Sequence, residues 1–166
     1  MRFPLTIRLD QSDAQIFDKA AEPGEPSVPG AFAFAGRDPE GLSTKDKFAL
    51  RSAWLGTHSF GFSTLVEVRE IEEAAFFETV ERLARYFVES LGAPDLAAAL
   101  PVAREECDEA AALCTHPIHS LLAVERDFND AGELIERFRV VQPSRATDHA
   151  KIWSIEADAE DGTPDR

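Results

Sequence analysis

The stretch from Glu72 to Leu91 constrains this chain most. Phe76, Val80, Leu83, Phe87 and Leu91 recur at three- and four-residue steps, so a helix gathers them on one apolar face. Glu78 with Arg82, Glu81 with Arg85, and Arg85 with Glu89 lie four apart and pair their charges on the other side. Gly92 and Pro94 follow in the order that ends a helix. Such a stripe must be buried against another layer, and the flanking sequence supplies mostly strands.

"PLTIRLD" alternates Leu5, Ile7 and Leu9 against Thr6, Arg8 and Asp10, the pattern of a half-buried strand. "AFAFA" predicts a short strand bearing Phe32 and Phe34 on one face. "FSTLVEVREI" is β-rich, with Leu65 interrupting the alternation of Thr64, Val66 and Val68. "AKIWSIEA" predicts a last strand with Ile152 and Ile155 near Trp153. Among these, "STKDKFALRSAWLG" reads as a short helix capped by Ser43 or Thr44, with Phe48, Trp54 and Leu55 partly facing the core. After Pro94 the sequence predicts a turn from Asp95 to Ala99, then a second helix opening on Pro101, tolerated in a first turn.

Residues 128–142 admit two readings. As a hairpin, Leu122, Val124 and Phe128 pair with a second strand through a turn at Asn129–Gly132. As a helix, Asp130 and Glu133 have capping-box spacing ahead of Leu134, Phe138 and Val141. The hairpin is favoured, because Phe138, Val140 and Val141 are β-prone and Gly132 would fall inside the helix. The resulting order predicts an α+β fold, a mostly antiparallel sheet with two main helices packed on one face. The length of 166 residues suits one domain over 1–156, followed by an acidic tail, 157–166, of disordered composition.

Charge narrows the functions. Seventeen Lys and Arg against 31 Asp and Glu leave a net charge of -14, which repels nucleic acid and anionic membrane surfaces. The modest basic clusters, Arg82 with Arg85 and Arg137 with Arg139, are interleaved with Glu and read as solvated, ion-paired faces. A basic protein partner or a cationic ligand fits this field. No stretch has the length of apolar sequence that crosses a membrane. Arg8 and Asp10 fall where a signal peptide needs its apolar run, so the expected compartment is the cytoplasm and both thiols are expected to be reduced.

"EECDEAAALCTHPIHS" holds both cysteines and two of the four histidines. A zinc tetrad of Cys107, Cys114, His116 and His119 has suitable residue types, yet seven helical residues separate the thiols by about 10.5 Å. Two sulfurs on one zinc stand at most about 4.6 Å apart. A reduced site survives, with Cys114 at the helix end and His116 and His119 on the loop that Pro117 pulls out of helical geometry. His58 and His149 are its conceivable extra ligands. Against it stands a stripe of small residues, Ala103, Cys107, Ala110, Ala111 and Cys114, which lets this helix approach the Phe-rich one closely.

Other signatures fall short. The nucleophile elbow needs glycine where Thr57 stands, and no Gly-Lys-Ser/Thr marks a phosphate loop. "DFNDAGE" departs from a calcium loop at Ala131 and Phe138. The twelve Phe are expected in core packing, with a small-ligand pocket between sheet and helices as the other use. "AAEPGEPSVPG" predicts a stiff surface loop, and Glu22, Pro23, Gly24, Glu25, Pro26, Pro29 and Gly30 are its docking candidates.

The N-terminal "IRLDQSDAQIFDKAAEPGEPSVPGAFAFAG", with "WLGTHSFGFSTLVEV", "LGAPDLAAALPVAREE" and "LLAVERDFNDAG", resembles a small bacterial family described only as a domain of unknown function. The resemblance covers most of the chain and carries no catalytic residues. Its members' genomic neighbourhood of molybdenum-enzyme maturation functions, a biotin/lipoate ligase-like protein and a chaperone among them, implies an accessory role. The expectation is therefore a non-catalytic, cytoplasmic accessory or interaction protein with no cofactor and a protein partner. The alternative is a small zinc-binding protein or enzyme built on Cys114, His116 and His119.

Overall fold

The structure, a computed structural model, describes residues 1–9, 11–143 and 153–156. Its larger sheet has five antiparallel strands in the order β1 (Arg2–Ile7), β5 (Leu65–Glu70), β6 (Leu121–Phe128), β7 (Leu134–Pro143) and β8 (Trp153–Glu156). A smaller antiparallel sheet joins β2 (Ser27–Val28), β3 (Trp54–Gly56) and β4 (Phe62–Ser63). Helices α1 (Ser12–Ile16), α2 (Thr44–Ser52), α3 (Glu73–Ser90) and α4 (Leu96–Ala112) complete the α+β fold. Ile152 and the 157–166 tail lie outside the described residues.

Helix α3 forms as its periodicity predicts. Phe76, Val80, Leu83 and Phe87 are buried, and Arg82 with Glu78 and Arg85 with Glu81 pair on the exposed side. Helix α4 packs against it through small residues: Ala103, Cys107 and Ala110 are fully buried in the same cluster. Its start differs from the expectation. The helix begins five residues before Pro101, because the Asp95 carboxylate accepts from the Ala98 amide and caps the segment read as a turn. Pro101 thus lies inside the helix, where it offers no N–H to the Ala97 carbonyl.

"AFAFA" forms a 3-10 turn over residues 31–34, correcting the strand expectation. Gly30 enters it at φ +79°, and a side chain there would lie 2.5 Å from the Leu55 Cβ. The strand of this region is instead Ser27–Val28, paired with Gly56 and Leu55 inside the presumed surface loop. Phe17, Phe34, Leu42, Ala49, Leu50 and Ala53 form a core cluster beneath α1 and α2. A further cluster sets Trp54 and Cys114 against Val66, Val68, Leu122 and Val124.

The 121–143 segment is a hairpin, with Phe128 opposite Leu134 and Val124 opposite Phe138. Its turn is built by Asn129, whose side chain accepts from the amides of Ala131 and Glu133, while Gly132 takes φ +83°. Between β4 and β5, Thr64 separates two short runs, which is why the alternation breaks there.

Candidate functional site

The Cys and His residues of the candidate metal site do not converge. Cys114 is buried at the end of α4, its Sγ 3.7 Å from the Ala110 carbonyl. Burial pushes its thiol up to about 11, against a small opposing effect of Arg2. Cys107 is fully buried, and burial, with Asp108 and Glu106 beside it, pushes its thiol up to about 12. His119 is exposed at φ +78° and its Nδ1 stands 2.5 Å from Glu67 Oε2, while the His116 carbonyl accepts from Arg2 Nη1. Among the described residues no group of three or more His, Cys, Asp or Glu side chains stands where it could hold a metal ion. His149 lies outside the described residues.

The 22–30 loop is anchored inward. Glu25, Pro26 and Gly30 are buried and Pro29 half-buried, leaving Glu22, Pro23 and Gly24 on the surface. Glu25 explains this. Its Oε1 accepts from the amides of His58 and Ser59, both at 2.9 Å. Its Oε2 accepts from the Ser59 hydroxyl at 2.5 Å and the Glu22 amide at 2.7 Å. Burial raises the carboxyl pKa, but these four donors outweigh it and hold the group below its ordinary value. Ser59 and His58 thus meet a carboxylate without an imidazole between hydroxyl and acid, so the arrangement clamps a turn and lacks the relay of a hydrolase.

A second buried charge joins that loop to α2 and the β6–β7 hairpin. Arg126 on β6 is 4 % exposed. Its Nη1 donates to the carbonyls of Leu50 at 2.8 Å and Ala53 at 3.1 Å, at the C-terminal end of α2, where a cation complements the helix dipole. Nη2 donates to the Pro29 carbonyl, and Nε donates to Glu136 Oε2 at 2.7 Å. One side chain therefore fixes α2 and the 22–30 loop onto the β6–β7 hairpin.

That fixed contact creates a groove. A cavity of about 660 Å³ lies between α2 and β6–β7, with Phe48, Leu65 and Val141 on its apolar walls and Arg51, Arg137 and Arg139 around it. Arg137 Nη2 and Arg139 Nη2 both donate to Glu125 Oε1, each at 3.0 Å. At the hairpin tip next to this groove, Phe128, Leu134 and Ile135 are exposed. A smaller cleft of about 330 Å³ joins Phe128 and Leu134 to Lys47, Leu50 and Arg51 of α2. The sequence alone does not mark this surface, because Arg137 and Arg139, interleaved with Glu, read as ordinary solvated ion pairs. The signal available was Phe128, Leu134 and Ile135 flanking a polar turn.

The described residues thus form an α+β fold with buried thiols and an apolar hairpin tip beside a mixed-charge groove. The chain belongs to the family of unknown function DUF6505, whose pattern it matches over residues 1–158. Comparison with curated proteins and with solved structures finds no match. Among the described residues no helix is long and apolar enough to cross a membrane.

Proposed function

We propose that this chain is a non-catalytic docking module of the cytoplasm, and that it binds a basic protein partner through the β6–β7 hairpin tip. The observation carrying this reading is the clustering of exposed apolar side chains. Phe128 is 44 % exposed and Ile135 45 %, with Leu134 directly opposite Phe128 and also exposed. Surface residues of this size cost solvation unless a partner covers them.

Charge selects the class of partner. Asp127, Asp130 and Glu133 surround the tip, and the whole chain carries -14, so a second copy would bring strong repulsion. A partner of opposite net charge is instead drawn in and oriented. Two unpaired thiols suit a reducing compartment. The inward anchoring of Glu25 disfavours the 22–30 loop as the docking surface. The zinc alternative lacks support in the separation of Cys114, His116 and His119.

The test compares wild-type protein with a Phe128→Ser/Ile135→Ser variant, both purified from the native host under low salt. The reading expects a stoichiometric basic polypeptide with the wild type, and its loss from a variant of unchanged circular dichroism. A complex that survives both substitutions, or no complex at all, contradicts it.

A further inference from the structure

We propose that the groove between α2 and the β6–β7 hairpin is a separate site for a small anionic molecule, one carrying a carboxylate, sulfonate or phosphate on an apolar body. The inference is independent of partner docking at the tip. Its cavity of about 660 Å³ is of the size that encloses a small ligand. Phe48, Leu65 and Val141 supply apolar wall, while the guanidiniums of Arg51, Arg137 and Arg139 supply the planar forks that recognise oxyanions.

The charge count favours an anion. Three arginines meet two carboxylates, Glu125 and Asp127, which leaves a local excess of one positive charge in a chain of net -14. Arg126 also borders the cavity, but its guanidinium is committed to Glu136 and backbone carbonyls. The Glu125 carboxylate shows what the site accepts, since one of its oxygens already draws Arg137 and Arg139 together. Arg51, in the last turn of α2, makes no ion pair among the described residues and stands ready for an incoming anion. The stem of an apolar ligand would lie along Phe48, which is 37 % exposed.

The experiment titrates the full chain with 1-anilinonaphthalene-8-sulfonate, an aromatic anion, by fluorescence and by amide NMR. The expected result is saturable binding with shifts centred on Ser52, Leu65, Ala123 and Val141. Arg51→Gln should weaken it by about tenfold or more, and Arg51→Lys, which keeps the charge and loses the planar fork, should recover only part of it. Phe128→Ser/Ile135→Ser should leave it intact, which separates this site from the docking tip. Octanoate should displace the probe and octanol at equal concentration should not. Absence of saturable binding, shifts centred on Phe128 and Ile135, an Arg51→Gln affinity within about twofold of wild type, or equal displacement by octanol would each overturn the proposal.

Discussion

Arg126 and Glu136 stand directly opposite each other on β6 and β7, with Nε and Oε2 2.7 Å apart and the arginine side chain almost wholly enclosed. Because the same guanidinium also holds the ends of α2 and the 22–30 loop, its loss strands a carboxylate and several carbonyls at once. Arg126→Ala should cost about 3–5 kcal/mol, the usual consequence of breaking a buried pair from one side. Urea unfolding measures it; a loss under about 1 kcal/mol would show that the contacts are dispensable.

Glu25 carries the second buried charge. Its carboxyl titrates below its ordinary value in the folded chain, so its contribution is present above the unfolded value near 4.5 and disappears as pH falls through the folded one. Glu25→Ala leaves the amides of Glu22, His58 and Ser59 without their acceptor and should cost about 3 kcal/mol or more at pH 7. The wild-type advantage should shrink in acid. Equal stabilities of the two proteins at pH 7 would remove the clamp from the account.

Glu106 on α4 behaves in the opposite sense. Burial, then Glu109, Glu136 and Glu105, push its carboxyl up to about 7 from an ordinary 4.5. Between these values the folded chain holds a proton that the unfolded chain has lost, so this group's effect is a stability that falls as pH rises from 4.5 to 7. Glu106→Gln should therefore be more stable than wild type at pH 8, with the gap closing by pH 5. Paired thermal melts at the two pH values decide it, and a gap that does not depend on pH would refute the assignment.

The thiols give a simple chemical check. Cys107 and Cys114 are buried, with pKa values pushed far above neutrality, so neither supplies an accessible thiolate at pH 8. Ellman's reagent should find no reactive thiol in the native chain and two after denaturation. Rapid native labelling would require an exposed cysteine.

How much of this was legible in the sequence follows from what each element depends on. Helix α3 and the β6–β7 hairpin were legible because their signals are local: a 3.6-residue apolar period in one, β-prone residues around a turn running from Asn129 to Gly132 in the other. The 3-10 turn at Ala31–Phe34 was not, since its alternation mimics a strand, while the ring partners of Phe32 and Phe34, Phe87 and Phe62, lie far along the chain. Pro101 misled in the same way: a cap six residues earlier overrides the expectation that proline opens the helix. The roles of Glu25 and Arg126 were invisible, because their partners lie 34 and 76 residues away in the chain. The groove depends on those same long-range contacts, so its arginines carried no mark in the sequence beyond their charge.

The central claim is that the partner covers the hairpin tip. The most direct measurement places a photo-crosslinking residue at position 135, or at position 102 on the outer face of α4, which is equally exposed. Irradiation in the native host should join a basic polypeptide to the chain from position 135 and give nothing from 102. Crosslinking from 102 with none from 135 would contradict the account.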